Sequence, residues 1–185
     1  MRRDVAAFDA LAPVYDLVMP SADRTALRKG LAVADREVER CVEVGGGSGR
    51  AASEVGAAVV DPARGMLERA RVRSLETVRG VAGDLPLADG SVDAVLVVDA
   101  LHHFPDRAAA LEEAARVLAP GGVLVVREFD RSTLRGRWLV RAERVVGFDS
   151  LFFTAGELEA AIEDAGLDAR PVEYGFGMTV VGVEE

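Results

Sequence analysis

A glycine-rich loop is the first feature of the sequence that could support chemistry. Residues 41–44 form a short segment, apolar except for Glu43, that leads directly into Gly45, Gly46, Gly47 and, after one serine, Gly49. Glycine has no Cβ, so backbone N–H groups in such a turn can come close to a ligand. The carboxylate of Glu43 repels a pyrophosphate but attracts an ammonium or sulfonium charge. The loop therefore favours a nucleoside amino acid over a dinucleotide.

Two further acidic residues follow apolar segments in the same way. Asp61 comes after residues 57–60, where it is placed to accept both hydroxyls of a ribose; it can also cap a helix that begins at Pro62. Asp84 follows residues 77–82 and can accept a hydrogen bond from an adenine amino group, while the N–H of Leu85 can meet a ring nitrogen. Taken alone, residues 83–86 are an ordinary turn.

A dinucleotide site remains an alternative for the glycine loop. Residues 47–52 satisfy the G-x-G-x-x-A variant of the dinucleotide-binding pattern, although a single match of this kind is weak. Glu43 and the lack of room for a second domain argue against it. A tight turn that binds no ligand is the third interpretation, and four glycines make it costly in backbone entropy.

These residues need a sheet whose strands end at a common edge. From residue 41 onward, β-branched runs alternate with segments of helical period, which predicts parallel strands joined by helices in an α/β sandwich. We predict strands at 41–44, 57–60, 77–82, 92–98 and 123–129, and a final hairpin of 169–174 and 178–183. Helices are predicted at 62–73, 107–118, 132–146 and 154–165, the last beginning with a capping box. Residues 1–40 are predicted to be a helical leader or lid, with Phe8, Leu11, Ala12 and Tyr15 on one face.

Composition limits the classes of function. A chain of 185 residues that is 50% hydrophobic can bury one core, so we expect a single domain over residues 1–185. The net charge of −9 makes nucleic acid a poor first guess for a partner. One cysteine, Cys41, and two histidines do not suffice for a thiolate-rich or histidine-only metal site. No apolar run approaches the roughly 20 residues of a transmembrane helix, and no secretion signal is seen, so we expect a cytoplasmic protein.

Four motifs in register give the chain a specific resemblance. Residues 43–49 (E-x-G-x-G-x-G), 61–67 (D-P-x-x-x-M-L), 83–86 (G-D-L-P) and 98–104 (V-D-A-L-H-H-F) resemble, in order and spacing, the Rossmann-like class I S-adenosylmethionine methyltransferases. Residues 8–16 and 153–158 resemble the branch that contains the ubiquinone and menaquinone biosynthesis methyltransferases. This chain is shorter between the fifth strand and the Thr154 helix.

The resemblance implies a fold and a set of cofactor contacts. The sheet order would be 3-2-1-4-5-7-6 with strand 7 antiparallel, in a three-layer sandwich. Gly45 and Gly47 would approach the methionyl part of S-adenosylmethionine, and Asp61 would hold the ribose. Met66 would lie against the adenine ring, while Asp84 and Leu85 would form hydrogen bonds with the polar edge of the adenine. The remaining predicted contacts, with the cofactor or its product S-adenosylhomocysteine, are Tyr15, Glu43, Gly46, Pro62, Asp99 and Leu101.

Catalysis in such an enzyme needs little acid–base chemistry. Methyl transfer from a sulfonium is a direct displacement, so the protein mainly aligns the acceptor and excludes water. If the acceptor is a phenol, enol or hydroxyl, His103 or His102 can remove its proton, although packing between helix and sheet is the more common role for such histidines. Asp99 can face the methionyl end or the acceptor, or cap the turn; Glu128 and Asp130 are weaker candidates.

An arginine-rich segment is the only hint about the acceptor. Between residues 131 and 144, arginines interleave with Leu134, Trp138 and Leu139, which suits a lid over an anionic aromatic or isoprenoid acceptor. A solvated basic face and peripheral membrane contact are the other interpretations. We predict a methyltransferase for a small molecule such as a quinol, phenol or isoprenoid-like compound. An NAD(P)-binding oxidoreductase and a non-catalytic cofactor-binding module are the alternatives.

Overall fold

The structure is a computed structural model that describes residues 22–146 and 150–185, together with Val5, Asp9 and Ala12. The helices are α1 (Arg24–Leu31), α2 (Ala52–Val55), α3 (Arg64–Val72), α4 (Arg107–Val117), α5 (Leu134–Val146) and α6 (Ala155–Asp164). The strands are β1 (Cys41–Val44), β2 (Ala58–Asp61), β3 (Thr77–Arg79), β4 (Val92–Val98), β5 (Leu118–Phe129), β6 (Asp168–Glu173) and β7 (Gly177–Val183). A 3-10 turn, Leu101–His103, follows β4.

Within the described residues the strands form one sheet in the order β3-β2-β1-β4-β5-β7-β6. Strands β1 to β5 are parallel, and β7 runs antiparallel to both β5 and β6. The predicted topology is confirmed. The carboxyl ends of β1, β2 and β4 therefore meet at one edge, where the glycine loop, Asp61 and Asp99 emerge from the sheet.

The central strands are buried on both faces, as parallel strands usually are. Alternate residues of β4 show this: Val95 and Val97 belong to one core cluster, whereas Ala94 and Leu96 belong to another. The first cluster is completed by residues such as Leu111 of α4 and Leu158 of α6. The second contains Leu67 and Ala70 of α3 and extends to α1. Helices thus cover both sides of the sheet, in the predicted three layers.

Most elements differ from their predicted bounds by one or two residues, and three cases are more informative. Helix α1 lies within the segment predicted to be a helical leader, for which no helix bounds were predicted; it begins after Asp23, whose side chain accepts hydrogen bonds from two N–H groups of the first turn. Strand β3 ends at Arg79, and the next residue, Gly80, packs so closely against Pro86 that a Cβ there would lie 2.7 Å from its ring. Strand β5 begins at Leu118 instead of Val123, since Leu118 already pairs with Val92 before a register shift.

The described residues of the leader lie against the start of α3. Asp9 accepts a hydrogen bond from the N–H of Gly65 at 2.7 Å, and buried Ala12 packs on Ala63 and Met66. The predicted leader residues Phe8, Leu11 and Tyr15 lie outside the described residues. Asp9 thus occupies a helix N-terminus, where a carboxylate is favoured.

Candidate functional site

A cavity of about 360 Å³ opens at the edge of the sheet where β1, β2 and β4 end. Its walls are mainly glycine, alanine and other apolar residues, and Phe104 closes one side. Among the described lining residues, five are acidic and one is basic. These are Glu43, Asp61, Asp84, Asp99, Asp106 and Arg50. A cavity with this charge favours a cationic ligand.

The glycine loop uses most of its own donors internally. The N–H of Gly45 donates to the carbonyl of Val60 at 2.8 Å, that of Gly47 to Oδ2 of Asp61 at 2.9 Å, and that of Gly49 to the carbonyl of Gly46 at 2.8 Å. The expectation that these N–H groups face a ligand is thus corrected at three positions. A phosphate cradle requires outward-facing N–H groups, so the loop is poorly suited to a pyrophosphate.

The glycines are nevertheless required by the backbone and by close packing. Gly45 and Gly47 have φ values of 70° and 55°, which L side chains rarely adopt. A Cβ at Gly45 would also lie 2.8 Å from the ring of Phe104. At Gly47 the nearest atom to such a Cβ would be Sδ of Met66 at 3.8 Å, an ordinary van der Waals distance, so the backbone angle and not packing requires glycine there.

Asp61 joins the glycine loop to the start of α3. Besides accepting the N–H of Gly47 through Oδ2, it accepts the N–H of Ala63 through Oδ1 at 2.8 Å. The predicted capping role is therefore present in modified form, with Ala63 as the residue that precedes the helix. Burial raises the pKa of Asp61, and the two N–H groups oppose this shift. Each carboxylate oxygen retains a lone pair that can accept a ribose hydroxyl.

Glu43, in β1, contacts the glycine loop and the start of the helix that follows it. Its Oε2 accepts the N–H of Ala52 at 2.7 Å, which ties the end of β1 to the first turn of α2. A Cβ at Gly46 would lie 2.8 Å from Cδ of Glu43, so the loop closes directly over this carboxyl group. Burial raises the pKa of Glu43 to about 8, with smaller contributions from Asp61 and Asp99. A cation bound in the cavity would favour the ionised form.

Asp84 and Leu85 have different environments. Asp84 is exposed and lines the cavity. Leu85 is buried, is not among the described lining residues, and donates its N–H to Oε2 of Glu113 at 2.7 Å. The predicted contact of this N–H with adenine is corrected accordingly. Arg116 holds the same turn by donating to the carbonyls of Leu85 and Leu87.

Asp99 has a positive backbone φ angle and a side-chain pKa that is raised above its ordinary value. Its φ of 50° lies in the left-handed region, although it is not glycine. Its side chain lines the cavity at the end of β4. Burial raises the pKa of Asp99 to about 6, and Glu128 adds to the rise, whereas Arg127 opposes it. A carboxyl group with this pKa is suited to proton transfer near neutral pH.

The two adjacent histidines point in different directions. His103 lines the cavity, and its Nδ1 lies 3.2 Å from Oγ of Ser150. Burial, together with His102, lowers the pKa of His103 to about 3, so the ring is neutral at ordinary pH. His102 is buried, with its Nδ1 2.7 Å from Oε2 of Glu128 and its ring stacked on Phe152. The prediction that His102 contacts the acceptor is thus corrected, because its side chain is enclosed in the protein interior.

Most of the predicted site residues come together around the cavity. Met66, Pro62 and the three loop glycines line it with the acidic residues named above. Leu101 does not, since it is fully buried in the core, and Tyr15 lies outside the described residues. The sequence analysis missed Arg50, which lines the cavity and acts electrostatically on Glu43 and Asp99. Its signal was its position immediately after the glycine loop.

Comparison with known proteins agrees with this geometry. A family model described as a methyltransferase domain matches residues 42–126. The demethylmenaquinone methyltransferase of Corynebacterium kroppenstedtii is 37% identical over 159 residues, which cover 76% of this chain and 69% of that protein. The chain belongs to the class I S-adenosylmethionine-dependent methyltransferases.

Further similar proteins support the family and show the extent of the match. The demethylmenaquinone methyltransferase of Mycobacterium sp. (strain KMS) is 38% identical to this chain. The match covers 66% of this chain and only 58% of the length of that relative. A crystal structure from Thermotoga maritima, described as a methyltransferase and possible histamine N-methyltransferase, superposes with a TM-score of 0.82. It is 28% identical, and the match covers 96% of this chain and 98% of that one.

The residues of the cavity fit S-adenosylmethionine. The excess of carboxylates suits a ligand with sulfonium and ammonium charges, and Asp61 lies at the strand end where a ribose is bound in nucleotide-binding sheets. Arg50 is the one basic group among the described lining residues, so it is the candidate partner for the carboxylate of the ligand. The family and the internal hydrogen bonding of the glycine loop displace the alternative of a nicotinamide oxidoreductase.

Proposed function

We propose that this methyltransferase transfers the methyl group to a hydroxyl-bearing, largely apolar small molecule of the quinol or phenol class. The observation that carries the proposal is that Asp99 and His103 both line the cavity, whose wall also includes the apolar residues Ala100, Phe104 and Ala109. Apolar walls favour an aromatic or aliphatic acceptor, and the two titratable side chains suit its hydroxyl group.

The protein's contribution to the reaction would be alignment and proton handling. Bound S-adenosylmethionine supplies a methyl group on a positively charged sulfur. Neutral His103 can accept a hydrogen bond from the acceptor hydroxyl and orient it. Asp99, with a pKa of about 6, is the stronger candidate to take the proton as negative charge develops on the acceptor. Phe104 and the neighbouring alanines would exclude water from the reacting atoms.

The similar proteins support this class of acceptor. The names of the two relatives place demethylmenaquinone, a quinone with an isoprenoid chain, as their substrate. The Thermotoga maritima protein is instead associated by its description with histamine, which is an amine. The experiment must therefore compare a quinol or phenol acceptor with an amine acceptor.

An acceptor screen with methyl-labelled S-adenosylmethionine tests the proposal. The panel should contain short-chain naphthoquinols, simple phenols and catechols, and histamine as the amine. We expect the wild type to give labelled product with the quinols or phenols. His103→Phe and Asp99→Asn should each lose most of this turnover. His103→Phe should still bind the cofactor. Methylation of histamine alone would overturn the acceptor class. Cofactor binding with no turnover on any acceptor would favour the non-catalytic module.

A further inference from the structure

Helix α5 presents an apolar stripe to solvent. Leu134, Trp138 and Val145 are 84%, 74% and 87% exposed, and they are three of the seven large hydrophobic side chains left exposed among the described residues. Their spacing of four and seven residues places them on one face of a helix. Large apolar side chains grouped on one exposed face mark an interaction surface more often than isolated apolar residues do.

Arginines surround the stripe. Arg141 lies on the same face between Trp138 and Val145, while Arg135 and Arg137 lie on either side of it. All three arginines are exposed, and none is joined to an acidic side chain within residues 22–146 and 150–185. Arg131, just before the helix, differs because it is paired with Glu157. The three arginines therefore give α5 a local positive charge on a chain whose net charge is −9.

The start of α5 is fixed so that the stripe faces outward. Asp130 accepts the N–H of Ser132 at 2.7 Å, and Oγ1 of Thr133 accepts the N–H of Gly136 at 3.0 Å. Gly136 is buried against the end of β5, where a Cβ would collide with the carbonyl of Asp130. Because Gly136 lies on the side of the helix roughly opposite Trp138, the stripe cannot turn inward without breaking these contacts.

We propose that this α5 face, formed by Leu134, Arg135, Arg137, Trp138, Arg141 and Val145, docks on the surface of an anionic phospholipid bilayer. The arginines complement the lipid phosphates, and the apolar side chains enter the boundary between headgroups and acyl chains. Tryptophan favours this boundary, because its ring has both an apolar body and an N–H donor. Among the described residues no helix is long and apolar enough to cross a bilayer, so the contact is confined to the surface.

The position of α5 connects this surface to the cavity. Shortly after α5 in the chain, Ser150 lies 3.2 Å from Nδ1 of His103, and Leu151 donates its N–H to the carbonyl of His102 at 3.0 Å. Ser150 follows the end of α5 by four residues, so a docked α5 would hold these contacts to His102 and His103 within a short length of chain from the lipid. The docking itself depends only on the α5 face and does not rest on the proposed acceptor.

The single tryptophan makes the test direct, because Trp138 is the only one in the chain. The full chain is mixed with vesicles of phosphatidylglycerol and phosphatidylcholine, or of phosphatidylcholine alone, and Trp138 emission and co-sedimentation are measured. We expect a blue shift, quenching by brominated acyl chains and co-sedimentation with the anionic vesicles only. Raising the salt concentration should weaken binding, since screening shortens the reach of the arginine charges.

Charge variants separate the α5 face from the net charge of the protein. The test variant is Arg135→Gln/Arg137→Gln/Arg141→Gln; the matched control is Arg28→Gln/Lys29→Gln/Arg71→Gln, at exposed basic positions on α1 and α3. Both variants lose three positive charges and retain Trp138. The test variant should lower the vesicle partition coefficient on the order of 100-fold, because each basic residue near an anionic surface contributes about fivefold. The control should change it much less.

Apolar variants test the other half of the surface. Leu134→Ser/Val145→Ser should also weaken binding strongly, whereas Val72→Ser, a change at an 86% exposed apolar residue on α3, should not. Absence of any blue shift with anionic vesicles would overturn the proposal, as would equal binding to neutral vesicles or an equal effect of test and control variants. A blue shift that depends on protein concentration without lipid would overturn it in favour of self-association.

Discussion

At the scale of single residues, Asp61 carries the clearest expectation. Its carboxylate lies beside the glycine loop at the end of β2, and each oxygen keeps a lone pair beyond its backbone partner. Asp61→Ala should weaken S-adenosylhomocysteine binding by about tenfold to 100-fold, because hydrogen bonds to a charged group contribute roughly 1.5–3 kcal/mol. Isothermal titration calorimetry measures this change.

A matched variant shows whether the effect belongs to the site. Glu68→Ala removes an exposed carboxylate on α3 that pairs with Arg64 and does not line the cavity. Its binding constant should stay near that of the wild type. Circular dichroism at the temperature of the titration checks that Asp61→Ala remains folded, since Asp61 also accepts the N–H of Gly47. Equal binding by the two variants would remove Asp61 from the cofactor site.

Asp99 leads to a prediction about pH. Its pKa of about 6 means that its carboxyl group is largely neutral at pH 5 and ionised at pH 8. A bound cation favours the ionised form, so S-adenosylmethionine affinity should rise as the pH increases through about 6. The gain should be about tenfold if binding lowers the pKa of Asp99 by roughly one unit. Calorimetry between pH 5 and pH 8 measures it.

Two comparisons isolate the contribution of Asp99. In Asp99→Asn the rise in affinity near pH 6 should be largely lost, because the amide does not titrate. S-adenosylhomocysteine, which has no sulfonium charge, should show a shallower dependence than S-adenosylmethionine in the wild type. The assignment fails if wild type and variant follow the same pH profile for S-adenosylmethionine.

At the scale of elements, Glu113 on α4 determines the position of the turn after β3. It accepts the N–H of Leu85 at 2.7 Å and pairs with Arg116, which donates to two carbonyls of the same turn. Glu113→Ala leaves the N–H of buried Leu85 without this acceptor. The free energy of unfolding should fall by about 1–3 kcal/mol. Cofactor affinity should fall several-fold as well, since Asp84 of this turn lines the cavity.

The neighbouring residue provides the control for this prediction. Glu112 is exposed on the same helix, so Glu112→Ala should leave both quantities almost unchanged. Urea denaturation gives the free energy of unfolding, and calorimetry gives the affinity. Loss of stability without any loss of affinity would show that the turn does not need Glu113 to present Asp84.

The elements also show which parts of the fold were predictable. Strands β1 and β4 were predicted to the residue, because a parallel strand covered on both faces is a nearly continuous apolar run, interrupted here only by Glu43 and Asp93. Helix α6 was predicted through its capping box, which the structure confirms at Thr154 and Glu157. The edge strand β3 was harder to delimit: it ends at Arg79, next to the close contact of Gly80 with Pro86, and such a packing contact leaves no periodic pattern in the sequence.

The site was predicted less completely than the fold, for two physical reasons. Leu85 donates to a residue 28 positions later, and such tertiary contacts leave no local pattern in the sequence. His102 and His103 differ only by one step of a 3-10 turn, yet one ring is enclosed beside Glu128 and the other faces the cavity. The sequence shows that histidines are present, but only the phase of the turn determines which one reaches the ligand.

At the scale of the whole molecule, Asp93 anchors the segment before β1 to the sheet. It is 2% exposed and accepts hydrogen bonds from the backbone N–H groups of Glu39 and Arg40. The guanidinium groups of Arg40 and Arg36 also contact it. Hydrogen bonding to Arg40, more than any other contact, lowers the pKa of Asp93 from 3.8 to about 2. This contact network links the N-terminal region to β4.

Asp93→Asn should therefore reduce global stability. The folded-state pKa lies below that of the unfolded chain, so the ionised carboxylate contributes about 2 kcal/mol at neutral pH. This contribution is fully present above about pH 4 and is lost as the pH falls toward 2. Urea denaturation at several pH values should show the variant and the wild type converging in acid. Asp35→Asn, at an exposed position of the same segment, should show no such pattern.

The internal hydrogen bonds of the glycine loop also bear on how the cofactor associates. Gly45, Gly47 and Gly49 donate to Val60, Asp61 and Gly46, so these N–H groups are bonded within the protein itself. The loop is therefore preorganised, and association needs little additional ordering of its backbone. We therefore expect the loop backbone to keep nearly the same conformation when the cofactor binds. Hydrogen exchange at these three amides should already be slow in the ligand-free protein, and saturating S-adenosylhomocysteine should slow it only slightly.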